Sequence, residues 1–491
     1  MDGSYNRKRD EKIASPYSLT DRPAWSLTVT LHLEIYGMKA QDKYQERKNR
    51  RFSRRRFLSS MAGVAAAFTI IPRYVLGGPR NIPPGEKLNI AGIGVGGRGA
   101  DNLDAVSGEN IVALCDVDQQ RAAPTFNRYP NAKKYSDFRI MLEKQKDIDA
   151  VIVATPDHVH AVATITAIKM GKHVYCEKPL THSIYEARMV AKAAREHKVA
   201  TQMGIQGHAG EGIRLLCEWL WDGAIGPVRE VHTWTDRPGN WWPQGIARPK
   251  DAPQPPPTLD WDLWLGPAPH RPYHPAYVPF KWRGWWDFGT GPLGDMGIHN
   301  SSPIFWALKL GHPTSVEPVS QQGNNEETGP VKAVVRYEFP ARGDMPPVTL
   351  VWYDGGNMPP RPQELEPERR LGDNDGGSLF IGEKGKILAP GWCAESPRII
   401  PESKMKEYKL PSKTIPRLPG HHEEWISACK GGPPPAANFE FAGLMTEVML
   451  LGNVAIRTGQ KLLWDGPNMK ITNVPDANKF LQRQYRQGWT L

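Results

Sequence analysis

The sequence predicts an α/β protein of two domains: a doubly wound parallel-sheet domain, then an α+β domain with a large, mostly antiparallel open sheet. Three observations carry that prediction. Apolar strand patterns alternate with helical patterns through residues 86–206, as a parallel sheet requires. The first strand, in KLNIAGIGVGGRGADNL (87–103), runs directly into Gly94-x-Gly96-x-x-Gly99. Beyond residue 207 the period becomes two, in VREVHTWT (228–235), VKAVVRYEF (331–339) and PVTLVWYD (347–354), which suits half-buried antiparallel strands.

At 491 residues and 40% hydrophobic content the chain suits two or more globular cores. Its formal charge of +10 is concentrated at the start. Residues 1–80 hold sixteen Lys/Arg against seven Asp/Glu, which leaves about +1 for residues 81–491. The body therefore offers no electrostatic case for a nucleic-acid partner. SRRRFLS (53–59) before MAGVAAAFTII reads as a twin-arginine export signal, so residues 1–80 are assigned to a leader and polar N-terminus. Cleavage is expected within 66–80, and Met38 is a second candidate start. The apolar stretch falls short of the roughly 20 residues of a spanning helix, so no stable membrane span is expected after processing. A basic tail beside a buried helix is the plainer alternative. Five unclustered cysteines without a CxxC point to neither a zinc ribbon nor a disulfide scaffold.

The N-terminal domain (86–206) follows element by element. In the turn Gly94, Gly96, Gly97, Arg98, Gly99, glycines permit a tight bend and close approach, so a pyrophosphate can lie on the next helix N-terminus. NIVALCDVD (110–118) ends in Asp116, twenty-two residues beyond Gly94, where a carboxylate accepts hydrogen bonds from ribose hydroxyls. Asp116 favours NAD over NADP, whose 2′-phosphate would meet a negative charge; Arg98 and Arg121 leave NADP as the lesser option. DIDAVIVATPDHVHA (147–161) is a buried strand ending at Thr155-Pro156, before a helix start at Asp157-His158. GKHVYCEKPLTHS (171–183) ends in Glu177-Lys178-Pro179, a helix follows over 184–197, and VATQMGIQ (199–206) ends in Gln206. Ligands of such sheets bind beyond the strand carboxyl ends. The expected nucleotide contacts are thus Gly94, Gly96, Gly97, Arg98, Gly99, Asp116, Thr155, Pro156, His158, Glu177, Lys178 and Gln206. For His158 a helix-start cap is an equal alternative, and His160 reads as structural.

GVGGRG, ALCDVD, ATPDHVH, CEKPL and GDMGIH, in this order within residues 87–310, resemble the Gfo/Idh/MocA family of pyranose and polyol oxidoreductases. The resemblance implies a Rossmann NAD-binding domain and a carbohydrate substrate. It also implies a C-terminal α+β domain (207–491) that binds substrate and mediates homo-oligomers. Finally it implies a catalytic set from the EKP lysine and an Asp-x-x-x-His pair, here Lys178, Asp295 and His299. Oxidising a secondary alcohol needs a base for the hydroxyl proton while hydride leaves the same carbon. A neutral imidazole suits that base, and an ammonium beside it stabilises the developing alkoxide. His299 is accordingly expected as acid/base, Lys178 as alkoxide stabiliser, and Asp295 as a contact to a neighbouring hydroxyl or an orienter of His299. The four-residue spacing in GPLGDMGIHN (291–300) equally fits an N-cap at Asp295 with His299 on the first helical turn. Relatives commonly carry another polar or acidic residue soon after the histidine, where this chain has Asn300, Ser301 and Ser302.

Residues 231–290 hold eight of the seventeen tryptophans among frequent prolines. Long irregular segments of this kind are usually functional. Most of these indoles are expected to fill a core or an oligomer interface, with one or two reaching a cleft. Arg237, Trp241 and Lys281 are the expected substrate contacts, and Arg283 could also donate to hydroxyls. No metal site is expected, because His421-His422 and the other histidines lack a carboxylate or cysteine at ligand spacing.

An exported enzyme has little free nucleotide to draw on, so tightly retained NAD is expected, with hydride returned to a second substrate. The leading expectation is an NAD(P)-dependent oxidoreductase acting on a secondary hydroxyl of a sugar, glycoside or polyol. Its expected place is periplasmic or otherwise exported, reached through the twin-arginine machinery. A redox-neutral glycosidase, lyase or epimerase with unconsumed NAD is the second reading, and a non-catalytic sugar-binding module the third.

Overall fold

The computed structural model describes residues 86–491; the leader and its export signal lie outside the described residues. Six strands form a parallel sheet: β1 (Asn89–Ile93), β2 (Asn110–Cys115), β3 (Lys133–Tyr135), β4 (Ala150–Val153), β5 (His173–Glu177) and β6 (Thr201–Gly204). Their order is β3-β2-β1-β4-β5-β6, which reverses between β1 and β4 and opens a crevice at the carboxyl ends of those strands. Strand β4 is AVIV, buried throughout, as expected where helices cover both faces. The helix Ile184–His197 starts at a capping box, in which Ser183 and Glu186 satisfy each other's backbone amides.

The second sheet has nine strands, β7 (Val228–Trp234), β8 (Ser315–Gln322), β9 (Lys332–Phe339), β10 (Val348–Tyr353), β11 (Gly377–Gly382), β12 (Lys386–Pro390), β13 (Arg398–Ile400), β14 (Leu462–Asp465) and β15 (Lys470–Ile471). They run in the order β13-β12-β11-β7-β10-β9-β8-β14-β15, antiparallel except for the parallel pair β7 and β10. In β9 the period of two is plain: Ala333, Val335, Tyr337 and Phe339 are buried, while Lys332 and Arg336 are exposed. The helix Phe439–Thr458 packs on both Ile184–His197 and β8, and so ties the two sheets into one core. It is long and apolar enough to cross a membrane by length and composition, yet it is mostly buried inside the protein.

Between β7 and the helix Ile298–Ala307 the chain returns to the first sheet. This segment has little regular structure, but it builds its own core from Leu259, Trp264, Leu265, Tyr277, Trp285 and Phe288. Arg271 is buried in it, ion-paired with Asp287 and with Glu327 at 3.4 Å. The segment is fastened beside the end of β2, where Gln119 N donates to Thr258 O and Asp260 N to Val117 O, each at 2.9 Å. An aromatic strap from the second half therefore reaches the crevice of the first.

Candidate active site

A cavity of ≈ 470 Å³ runs along the carboxyl ends of the parallel strands, from the glycine turn to His299. At its first end Gly94 adopts φ +79, a conformation that L side chains rarely take. A Cβ on Gly99 would stand 2.0 Å from Gly94 O, so the helix starts hard against the strand. The helix Arg98–Ala105 begins at Gly97 with no side-chain cap, which leaves its first amides available to an anion. Arg121 drapes over the turn, since a Cβ on Gly97 would lie 2.9 Å from its Nη2.

Asp116 braces the same turn. Its Oδ2 accepts from Val95 N and Gly96 N, both at 2.8 Å, and its Oδ1 from Asp118 N at 2.9 Å. Burial pushes this carboxyl up and the amide bonds hold it back. A carboxylate has about four acceptor positions, so capacity remains for a ribose hydroxyl. Uncapped helix amides, two arginines and a carboxylate along one cavity wall fit a dinucleotide. Glu177 Oε1 gathers Asn102 Nδ2 (2.9 Å), Gln206 Nε2 (3.0 Å) and Arg98 Nε (3.4 Å), fastening the end of β5 to the turn and to the start of the 3₁₀ turn after β6. Thr155 and Pro156 line the cavity between these groups.

At the other end, Lys178 Nζ donates to Asp295 Oδ1 at 2.7 Å and to Asp295 O at 3.0 Å, while Arg283 Nε reaches the same Oδ1 at 3.2 Å. Burial alone would raise the Asp295 carboxyl, but the Lys178 and Arg283 cations outweigh it and hold it well below the usual carboxylate range. His299 is buried at the cavity wall, with Nδ1 lacking a hydrogen-bond partner and its ring edge-on to Trp392 at 4.4 Å. Burial, and then the Lys178 charge, keep its imidazole well below its ordinary pKa and hence neutral.

Several expectations need correction. Asp295 is not an N-cap: it lies in a π-helical turn, Leu293–Gly297, which continues directly into the helix Ile298–Ala307. Its carboxylate is committed to Lys178 and Arg283, and among the described residues no hydrogen bond joins it to His299. His158 is not a nucleotide contact. It is fully buried, with Nδ1 3.2 Å from Phe288 O and Nε2 2.9 Å from Trp264 O, and so knots the helix start to the aromatic strap. Arg237, Trp241 and Lys281 do not line the cavity. Arg237 is buried, paired with Asp236, and stacks 3.7 Å from the ring of an exposed Trp241. The strap instead lines the cavity with Trp264, Phe280, Trp282 and Arg283, among others. Asn300 and Ser302 turn to Trp234 O and His208 Nδ1, at 2.9 Å and 2.7 Å, rather than toward substrate space. Trp392 went unforeseen, because it follows β12 far from any motif. Arg283 carried a signal, a cation shortly before GTGPLGD, but nothing ranked it above its neighbours.

Residues 88–205 match the family model described as Gfo/Idh/MocA oxidoreductase, NAD-binding Rossmann fold, and residues 233–341 match the family's C-terminal α/β domain. Inositol 2-dehydrogenase of Salmonella paratyphi B is 31% identical over 146 residues, covering 28% of this chain and 43% of its own length. Levoglucosan dehydrogenase of Pseudarthrobacter phenanthrenivorans is 28% identical over 115 residues, 23% of this chain and 29% of its own. The chain thus spans less than half the length of the curated relatives it matches. The WlbA dehydrogenase from Bordetella pertussis, in complex with NADH and UDP-GlcNAcA, shares the fold at 17% identity and a TM-score of 0.54, over 77% of this chain and 99% of that one. From the glycine turn to the antiparallel sheet, this chain is thus similar, in order, to both domains of the Gfo/Idh/MocA oxidoreductase family.

Proposed function

We propose that the protein is an NAD(P)-dependent oxidoreductase of a secondary hydroxyl on a sugar, glycoside or polyol. One observation carries the reading: Lys178, ion-paired with Asp295, and a neutral His299 line a single cavity with the glycine turn and Asp116. The dehydrogenases of inositol and levoglucosan among the relatives support the substrate class. When bound, the nicotinamide supplies the hydride acceptor. His299 takes the hydroxyl proton on its ring nitrogen, and Lys178 Nζ donates a hydrogen bond to the oxygen as charge develops. Asp295, itself braced by Arg283, holds the ammonium in place, and Arg283 presents its remaining donors to substrate hydroxyls. Asp116 favours NAD over NADP.

The strap fastened beside β2 supports tight cofactor retention, and SRRRFLS supports export by the twin-arginine route. Retention in turn favours a second reading, in which the oxidised sugar is cleaved or epimerised and then reduced again. Exposed Val319, Val331 and Leu463 on the second domain support a homo-oligomer.

The test is to release and identify the nucleotide of the purified chain, then to screen pyranosides and polyols by reduced-nicotinamide absorbance, with product NMR in deuterated water. Ketone formation supports net oxidation, and an unoxidised cleaved or inverted product supports the cycle. Sugar binding with neither product would leave only a binding module. Export is tested by fractionating cells that express Arg54→Lys/Arg55→Lys; an unchanged periplasmic yield would refute it.

A further inference from the structure

His160 lies in the first turn of the helix Asp157–Lys169, is buried, and is used by none of the chemistry above. Its Nδ1 is 2.7 Å from Pro179 O and its Nε2 is 2.8 Å from Thr155 O. Both partners are carbonyl oxygens, which only accept, whereas a neutral imidazole has a single N–H to give. Two contacts this short are both satisfied only when both nitrogens carry hydrogen. Pro179 follows the cavity-lining Lys178 directly, and Thr155 lines the cavity just beyond β4, so the ring bridges two segments that reach the cavity.

A countercharge is at hand. Asp157, also buried, sits three residues earlier on the same helix, and its Oδ2 accepts from Thr290 N at 3.1 Å and from Thr290 Oγ1 at 2.6 Å. Thr290 opens the segment that carries Asp295 and His299, and Asn453 Nδ2 holds its carbonyl at 2.8 Å. One buried helix turn therefore grips both strands of the catalytic set: the lysine turn through His160, and the Asp295–His299 segment through Asp157.

We propose that His160 is a positioning residue, a permanently doubly protonated imidazolium that ties the Lys178–Pro179 turn to the end of β4 and so sets Lys178 against Asp295. Its positioning half rests on the role given to Lys178; its protonation half does not. Burial works against the charge, but Cys176, Asp157 and the Pro179 carbonyl outweigh it and raise the imidazole to about 10. Burial likewise pushes Asp157 up, opposed by His160 and Thr290.

Neutron diffraction from crystals of the full chain at about pH 8, well above the ordinary histidine pKa, is expected to show hydrogen on both ring nitrogens. A bare nitrogen would overturn the proposal, whatever reaction the protein performs. His160→Gln keeps a donor but not two opposed ones. Its kcat is expected to fall about a hundredfold, the size of a roughly 1 Å misplacement, with KM and nucleotide affinity near wild type. In its crystal structure Lys178 Nζ should have left Asp295 Oδ1. A variant that keeps wild-type kcat, or an unmoved Lys178, overturns the positioning role; should the variant fail to fold, the neutron result decides.

Discussion

Lys178→Met is the sharpest perturbation, because it removes an ammonium while keeping most of the stem. In the proposed reaction Nζ faces an oxygen that gains charge. Removing one such preorganised donor costs about 2.7–4 kcal/mol, or 10²–10³ in kcat. A unit charge about 4 Å from the ammonium, at an effective dielectric near 20, gains about 4 kcal/mol, which agrees with the upper end. Folding should suffer less. Asp295 keeps Arg283 at 3.2 Å, so the loss stays below the roughly 3–5 kcal/mol of an orphaned buried charge. The pH profile gives an independent sign. His299 must be neutral to act as base, and after burial it is Lys178 that most depresses its pKa. Without that cation the imidazole protonates more readily, so the acid limb of kcat/KM moves to higher pH. Single-turnover cofactor reduction across a pH series, with thermal melts and NADH titration as controls, measures all three. Unchanged kcat in a folded, NADH-binding variant, or an acid limb displaced to lower pH, would refute the reasoning.

Gly99→Ala places a methyl 2.0 Å from Gly94 O, so the turn must open. Overpacking of this kind costs about 1–3 kcal/mol, and NADH titration should show binding weakened or lost. Arg283→Ala leaves Asp295 with one cation and the cavity with fewer donors; KM for the best substrate in the screen should rise about tenfold, the equivalent of one charge-assisted bond of about 1.4 kcal/mol. An unchanged KM would remove Arg283 from the substrate wall. His158→Phe should lower thermal stability by about 1–3 kcal/mol through the buried Trp264 carbonyl it leaves unpaired, since Phe288 O still accepts from the backbone amide of residue 158. Its nucleotide affinity should stay the same, and weaker NADH binding would restore the histidine as a cofactor contact.

The parts of this protein that its sequence disclosed are those whose chemistry leaves little choice of residue. A phosphate turn demands glycine where Gly94 takes a positive φ and Gly99 meets a backbone oxygen. Buried parallel strands such as AVIV demand unbroken apolar runs, so the positions just beyond them, Asp116, Thr155 and Lys178, are marked by where each run stops. Strands β9 and β10 announced themselves by alternation. Strand β3 has three residues, two of them lysines, and β11 opens on glycine; neither offers a period long enough to detect. The strap is the instructive failure. With no helix or strand over most of its length, nothing in its order separates an inward Arg283 from an outward Lys281, or a cavity-facing Trp282 from an exposed Trp241.

The pair Asp295 and His299 shows why a correct motif can still mislead about geometry. Four residues apart on an α-helix, two side chains share a face and should meet. Here the intervening chain is a π turn, which takes more residues per turn, so the two side chains need not align. Asp295 finds its partners in Lys178, from the end of β5, and Arg283, from the strap, while His299 rests edge-on against Trp392. The carboxylate therefore acts on the histidine through charge and through the lysine it anchors, not through a hydrogen bond. That division also explains the protonation pattern. The ion-paired Asp295 stays charged and Lys178 is pinned beside it, so that burial and the nearby ammonium together keep His299 a free base. The function of the decapeptide thus depends on two partners that its own residues do not contain.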